Sequence, residues 1–186
     1  LDDHYLKQAR WSAEQFGLED QITFKKMQVY DLAHTDEQFD LVWFMGVFYH
    51  LRYPLLALDT LTQRTRKMMV FQTLTMPGME EEIIAEDYDI HERERMRNVG
   101  WPKMAFIEKK VNGDPTNWWA ANHSAIEAML RSCGMQVQER PGHETYIVVP
   151  DSNNEGVASG WNRSEYLSAT GKDWQSSVEA KTGSKN

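Results

Sequence analysis

The residues best placed to do chemistry are Met45-Gly46-Val47-Phe48-Tyr49-His50. They close an almost unbroken apolar run, Phe39-Asp40-Leu41-Val42-Trp43-Phe44, and are followed by Leu51-Arg52-Tyr53-Pro54 and a helical pattern. In an open α/β sheet the ligand lies outside the carboxyl ends of the strands, so this strand end is where a small molecule would bind. Gly46 allows close approach to the backbone. Tyr49 and His50 offer a hydroxyl and an imidazole that could hold or move a proton, although a strand-end histidine can equally do no more than hydrogen-bond backbone. Val29-Tyr30-Asp31 ends the preceding segment. A carboxylate there could accept from an exocyclic amine such as that of adenine, with Tyr30 or Val29 over the ring face, or it could merely close a turn or cap a short helix. Asn117-Trp118-Trp119, just before another helical pattern, could wall a substrate pocket or pack in the core. His91-Glu92-Arg93-Glu94-Arg95 lacks the second histidine that a zinc helix places four residues on, so no metal site is expected.

These residues need elements to position them, and the periodicity predicts an α/β order. Residues 2–16 carry Tyr5, Leu6, Ala9, Ala13 and Phe16 at helical spacing, with Gly17 as a stop. Residues 22–29 alternate as a strand ending at Asp31. Residues 39–46 read as a central parallel strand covered on both faces. Residues 54–66 read as a helix with Pro54 in its first turn, and residues 67–74 as a further buried strand. From residue 75 to about 119 the pattern breaks into an acidic run, Glu80-Glu81-Glu82, and scattered glycines and prolines, as in a lid or substrate-facing insertion. A helix over 123–131 stops near Gly134. Two strands, 135–139 and 144–149, would then form an antiparallel hairpin turning at Pro141-Gly142.

The composition suits a single core. The chain has 186 residues, 41% hydrophobic and 11% aromatic. No apolar run approaches the ~20 residues of a membrane span, and no secretory signal opens the chain. Cys133 is the lone cysteine, a small core filler that fits a reducing compartment, so a cytoplasmic location is expected. A net charge of -8 argues against general attraction to polyanions. After Pro150 the chain turns polar, and residues 151–186 are expected to be a loosely attached or disordered tail that only Trp161, Tyr166, Leu167 and Trp174 could anchor.

Taken in order, residues 1–149 resemble the class I S-adenosylmethionine-dependent methyltransferases. They resemble more narrowly the tRNA wobble-uridine carboxymethyltransferase group and its glycosyltransferase-associated methyltransferase relatives. The most specific pieces are Phe39-Asp40-Leu41-Val42 running into Met45-Gly46-Val47-Phe48-Tyr49-His50, and Asn117-Trp118-Trp119 before the helix ending Ser132-Cys133-Gly134-Met135. Gly113-Asp114-Pro115-Thr116-Asn117-Trp118-Trp119 looks closer to the relatives than to the tRNA enzyme.

The resemblance implies a Rossmann-like α/β sheet, mostly parallel with a C-terminal antiparallel hairpin. Residues 22–27, 39–44 and 67–73 would be its third, fourth and fifth strands. It implies S-adenosylmethionine as cofactor, touched by Met45 and Tyr49, with Tyr30 and Asp31 flanking the adenine and Asp2 on the ribose side. Tyr49 and His50 become the catalytic candidates, and Asn117, Trp118 and Trp119 the substrate-facing ones. The family's first two strands, its glycine-rich turn and its ribose-binding acid would precede residue 1. On that expectation residues 1–186 alone neither fold fully nor bind cofactor, and an upstream βαβ unit restores both. The expected acceptor is a small-molecule or glycan-linked one. The alternatives are carboxymethyl transfer to a tRNA wobble uridine from carboxy-S-adenosylmethionine, and a non-catalytic binding module that keeps the fold.

Overall fold

Two apolar strands and the helix between them set the framework. The computed structural model describes residues 3–82, 84–158 and 162–172. Strand β1 (Phe39–Met45) and strand β2 (Thr65–Gln72) run parallel, with Phe44 beside Phe71 and Met45 beside Gln72. Helix α2 (Pro54–Thr62) makes the crossover, and its buried Ala57, Leu58 and Leu61 form the face turned to the protein interior. Strands β5 (Met135–Gly142) and β6 (Thr145–Pro150) form the closing hairpin, antiparallel to each other and to β2, giving the order β1-β2-β6-β5. Helix α3 (His123–Ser132) precedes the hairpin. The Asn122 side chain caps it by accepting from the Ala125 N–H, and Gly134, at φ +84°, turns the chain out of it. Phe48, Phe71, Met69, Ile126, Leu130 and Tyr146 are among the fully enclosed side chains of the core. Burying each large apolar group of this kind contributes about 1.5–3 kcal/mol.

The insertion is given order by a second, two-stranded sheet. Strand β3 (Met104–Phe106) pairs antiparallel with β4 (Trp119–Ala121), after a 3₁₀ stretch at Ile90–Arg97. Helix α1 (Asp3–Gln15) lies against residues 22–28 through the Asp3–Lys26 ion pair and the Arg10 guanidinium over Phe24. Of its apolar stripe only Ala13 is buried, while Tyr5, Trp11 and the following Phe16 are exposed. Helix α4 (Asn162–Ala169) rests near α2, and Tyr166 joins Ala33 and Val157 in a small second core with Leu56 and Leu167 packed against it. The other expected anchors, Trp161 and Trp174, lie outside the described residues, as does Asp2. Among the described residues no helix is long and apolar enough to cross a membrane.

Several boundaries differ from the sequence expectation. Residues 22–28 form no strand. A strand exists through its ladder, and none of the described strands pairs with this segment. Strand β1 is not covered on both faces. It is an edge strand among those described, with Leu41 and Trp43 exposed and Phe44 buried. Helix α2 ends at Thr62 rather than residue 66, because Thr65 and Arg66 already belong to β2. The hairpin turns at His143-Glu144, two residues later than Pro141-Gly142, because Gly142 still pairs with Thr145 across the ladder.

Candidate functional site

At the end of β1 the chain leaves the sheet through Gly46, whose φ of +70° is one that only glycine adopts freely. The 3₁₀ turn Phe48–His50 follows, fixed by Phe48, which is buried edge-on against Phe71 at 5.3 Å between ring centroids. This anchor holds Tyr49 and His50 half-buried above the strand end, their rings 4.1 Å apart.

The insertion docks on this loop. The Trp118 N–H donates to the Tyr49 carbonyl at 2.9 Å and the Trp119 indole N–H to the Leu51 carbonyl at 3.0 Å. The Arg52 guanidinium sits over the Trp118 and Phe106 rings at 4.7 and 5.1 Å from their centroids. His50 completes the contact, with Nδ1 at 3.2 Å from the Thr116 carbonyl and 3.0 Å from its hydroxyl. A carbonyl only accepts, so Nδ1 carries the proton and Nε2 keeps its lone pair. Asp114 accepts from the Thr116 hydroxyl and N–H, and those hydrogen bonds hold its carboxyl below the usual range. The expected residues Tyr49, His50, Trp118 and Trp119 are thus brought together. Asn117 is buried, its amide donating to the Val111 carbonyl.

Tyr30 and Asp31 stand on the neighbouring 3₁₀ turn Val29–His34. One oxygen of Asp31 accepts from the Gln28 N–H at 2.8 Å, so the residue caps its own turn. Among the described residues no donor reaches its other oxygen, Oδ1. Tyr30 packs edge-on against Tyr53, and its half-buried position pushes its phenol pKa up. Met45, half-buried, lies next to Gly46 at the strand end.

A further set of polar residues converges on the same end of the sheet, and the sequence reading missed it. The Gly46 N–H donates to the Gln72 side-chain oxygen at 2.8 Å, and the Gln72 amide donates to Glu144 at 3.1 Å. The other Glu144 oxygen accepts from the Thr75 N–H at 2.9 Å and from its hydroxyl at 3.3 Å. That hydroxyl lies 3.2 Å from Nδ1 of His143. His143 is exposed at the hairpin turn and faces the buried His123 at 5.1 Å between centroids. His123 in turn is hydrogen-bonded through Nδ1 to the Tyr146 hydroxyl. Burial pushes the His123 pKa down and that of the Tyr146 phenol up.

Residues 1–68 match the family model described as methyltransferase domain. Among solved structures, the N-terminal domain of EvdMO1, determined in the presence of SAH and D-fucose, aligns at a TM-score of 0.50 and 19% identity, over 81% of this chain and 63% of that one. An O-methyltransferase family protein from Burkholderia thailandensis aligns at 0.49 and 13%, over 77% and 39%. The fold is that of a class I methyltransferase. No curated protein matches the sequence. The chain spans 63% of the EvdMO1 domain it is similar to.

Gly46, Gln72 and Glu144 meet at the carboxyl ends of β1 and β2, the end of an open α/β sheet outside which ligands bind in general. A cleft of about 620 Å³ lies to one side, between α2 and α4. It shares Arg52 and Tyr53 with the strand-end loop, but Met45, Gly46 and Tyr49 do not line it. It therefore adjoins the strand ends and does not lie over them.

Proposed function

We propose that the chain carries part of an S-adenosylmethionine-dependent methyltransferase site that acts on a small-molecule or glycan-linked acceptor. The observation that carries this reading is the end of β1. A left-handed glycine and two half-buried aromatics stand there, within the stretch that matches the methyltransferase domain model. The residues fit the cofactor's chemistry. Met45 and Tyr49 offer apolar and aromatic surface, Gly46 adds no side chain to obstruct it, Tyr30 offers a ring face, and the second oxygen of Asp31 can accept from an adenine amine. Asp2, outside the described residues, would lie on the ribose side. When bound, the cofactor supplies a methyl group already activated by a positive sulfur. What remains for the protein is to align the acceptor and remove a proton where the acceptor bears one.

The lid supplies the acceptor side. Trp118 and Trp119, tied to the Tyr49–Leu51 backbone, form a wall beside Tyr49, and His50 pins that wall through Thr116. The D-fucose present with the EvdMO1 domain is in keeping with a sugar-like acceptor. A net charge of -8 is unfavourable to tRNA, and the expected location is the cytoplasm.

The experiment is a screen with methyl-tritiated S-adenosylmethionine, using the longest product the gene encodes, against tRNA, sugars and small-molecule extracts. Label in a small molecule or glycan is the expected result. Label in tRNA replaces this acceptor with a nucleic acid, and no label in any fraction favours the non-catalytic module.

A further inference from the structure

We propose that His143 is the general base for the acceptor, so that the reaction is methylation of a hydroxyl group; this rests on the methyltransferase reading above. The inference comes from counting donors in the string that ends at His143. The Thr75 hydroxyl has one proton and lies within hydrogen-bond reach of both a Glu144 oxygen, at 3.3 Å, and His143 Nδ1, at 3.2 Å. A carboxylate accepts and does not donate, so the hydroxyl gives its proton to Glu144 and accepts from His143. His143 therefore carries its proton on Nδ1, and Nε2 is left with a lone pair and no protein partner among the described residues, on an exposed residue. Carboxylate, hydroxyl and imidazole fix orientation and tautomer as the third member of a catalytic triad does.

The string is rooted at the strand ends. Glu144 is held by the Thr75 N–H and by Gln72, and Gln72 also receives the Gly46 N–H. The base is thereby indexed to the backbone that the cofactor would approach. In the step, the acceptor O–H bond breaks and its proton goes to Nε2. The oxygen's electron pair forms the new bond to the methyl carbon, and the carbon–sulfur pair stays on sulfur. The imidazolium then returns its proton to water, to which the exposed turn gives access. His50 also has an Nε2 without a partner among the described residues, but its Nδ1 is spent on the lid residue Thr116 and its ring leans on Tyr49, which makes it a positioning residue for the lid. The titratable groups facing His143 are His123 from α3 and Glu144 beside it. Arg140 and Glu81 act on the same cluster through His123.

The test has two arms on the longest gene product. Long-range proton–nitrogen NMR of the imidazoles, with His143→Gln for assignment, should show His143 in the Nδ1–H form. Glu144→Leu should move the proton to Nε2, because with no acceptor beside it the Thr75 hydroxyl is free to donate to Nδ1. Thr75→Val should also lose the preference, and Thr75→Ser should keep it. In the kinetic arm, using D-fucose and a panel of related sugars and phenols with methyl-tritiated S-adenosylmethionine, His143→Gln should lower kcat about 100-fold or more with KM little changed, and should remove the acidic limb of the pH profile. A wild-type His143 in the Nε2–H form overturns the proposal. So does a His143→Gln variant that keeps kcat within about threefold and keeps the acidic limb. A wild type that labels no acceptor at all refutes instead the methyltransferase reading beneath it, whatever the tautomer.

Discussion

Hydrogen-bond direction assigns roles to individual side chains here more firmly than residue type does. His50 illustrates this, since its Nδ1 proton is committed to Thr116 and through it to the lid. Replacing His50 with alanine removes that tie, worth about 1–1.5 kcal/mol, so the KM for acceptor should rise about tenfold while kcat falls less; steady-state kinetics check it. His123 makes a stability prediction. Burial, with help from Arg140 and His143, holds its folded pKa below the ordinary 6.5, so the unfolded chain binds more protons as pH falls. Stability from this group is present above the unfolded value and is lost as pH falls below it, toward the lower folded pKa. The melting temperature should therefore decline from pH 7 to pH 5, and His123→Gln should flatten that decline; an equal decline in the variant contradicts the assignment. Tyr49 and His50 were legible in the sequence because an apolar run ending in glycine marks a strand end, and the two tryptophans because they stand just before a helical pattern. His143 and Glu144 were not. Pro141-Gly142 is the stronger turn signal, but the ladder carries Gly142 on to pair with Thr145, which leaves the turn to His143-Glu144.

The elements that hold these groups were legible to different degrees for physical reasons. β1, α2, β2 and α3 have enough residues to display a period, and their apolar faces do enter the core. Residues 22–28 alternate just as well but pair with no strand among the described residues, and alternation cannot report a missing ladder. The three-residue strands β3 and β4 carry no period at all; tertiary contact with the Tyr49–Leu51 backbone fixes them. The segment after Pro150 is polar, yet it crosses the α3–β5 turn so closely that a Cβ on Gly156 would lie 2.5 Å from the Cys133 carbonyl carbon and oxygen. Gly156 also has a φ of +54°. Gly156→Ala should therefore cost about 3 kcal/mol in denaturant unfolding, from left-handed strain plus overlap with backbone. A loss below about 0.5 kcal/mol would mean that this segment does not rest on the turn.

For the whole molecule, the sheet order β1-β2-β6-β5 brings Gly46, Gln72 and Glu144 to one end of the sheet. The same order leaves one edge of β1 unpaired among the described residues, with Leu41 and Trp43 exposed. An apolar open edge invites strand-to-strand association. Residues 1–186 should accordingly self-associate as concentration rises, and Trp43→Lys should reduce that association in light scattering; no change on substitution would place the contact elsewhere. The most direct test of the central claim is calorimetric titration of the longest gene product with S-adenosylhomocysteine. We expect binding at or below about 100 μM, in the range common for such ligands, weakened at least tenfold by Gly46→Val, which adds a branched side chain at a left-handed glycine. Absence of binding up to about 1 mM, or affinity unchanged by Gly46→Val, would contradict a cofactor site at the end of β1.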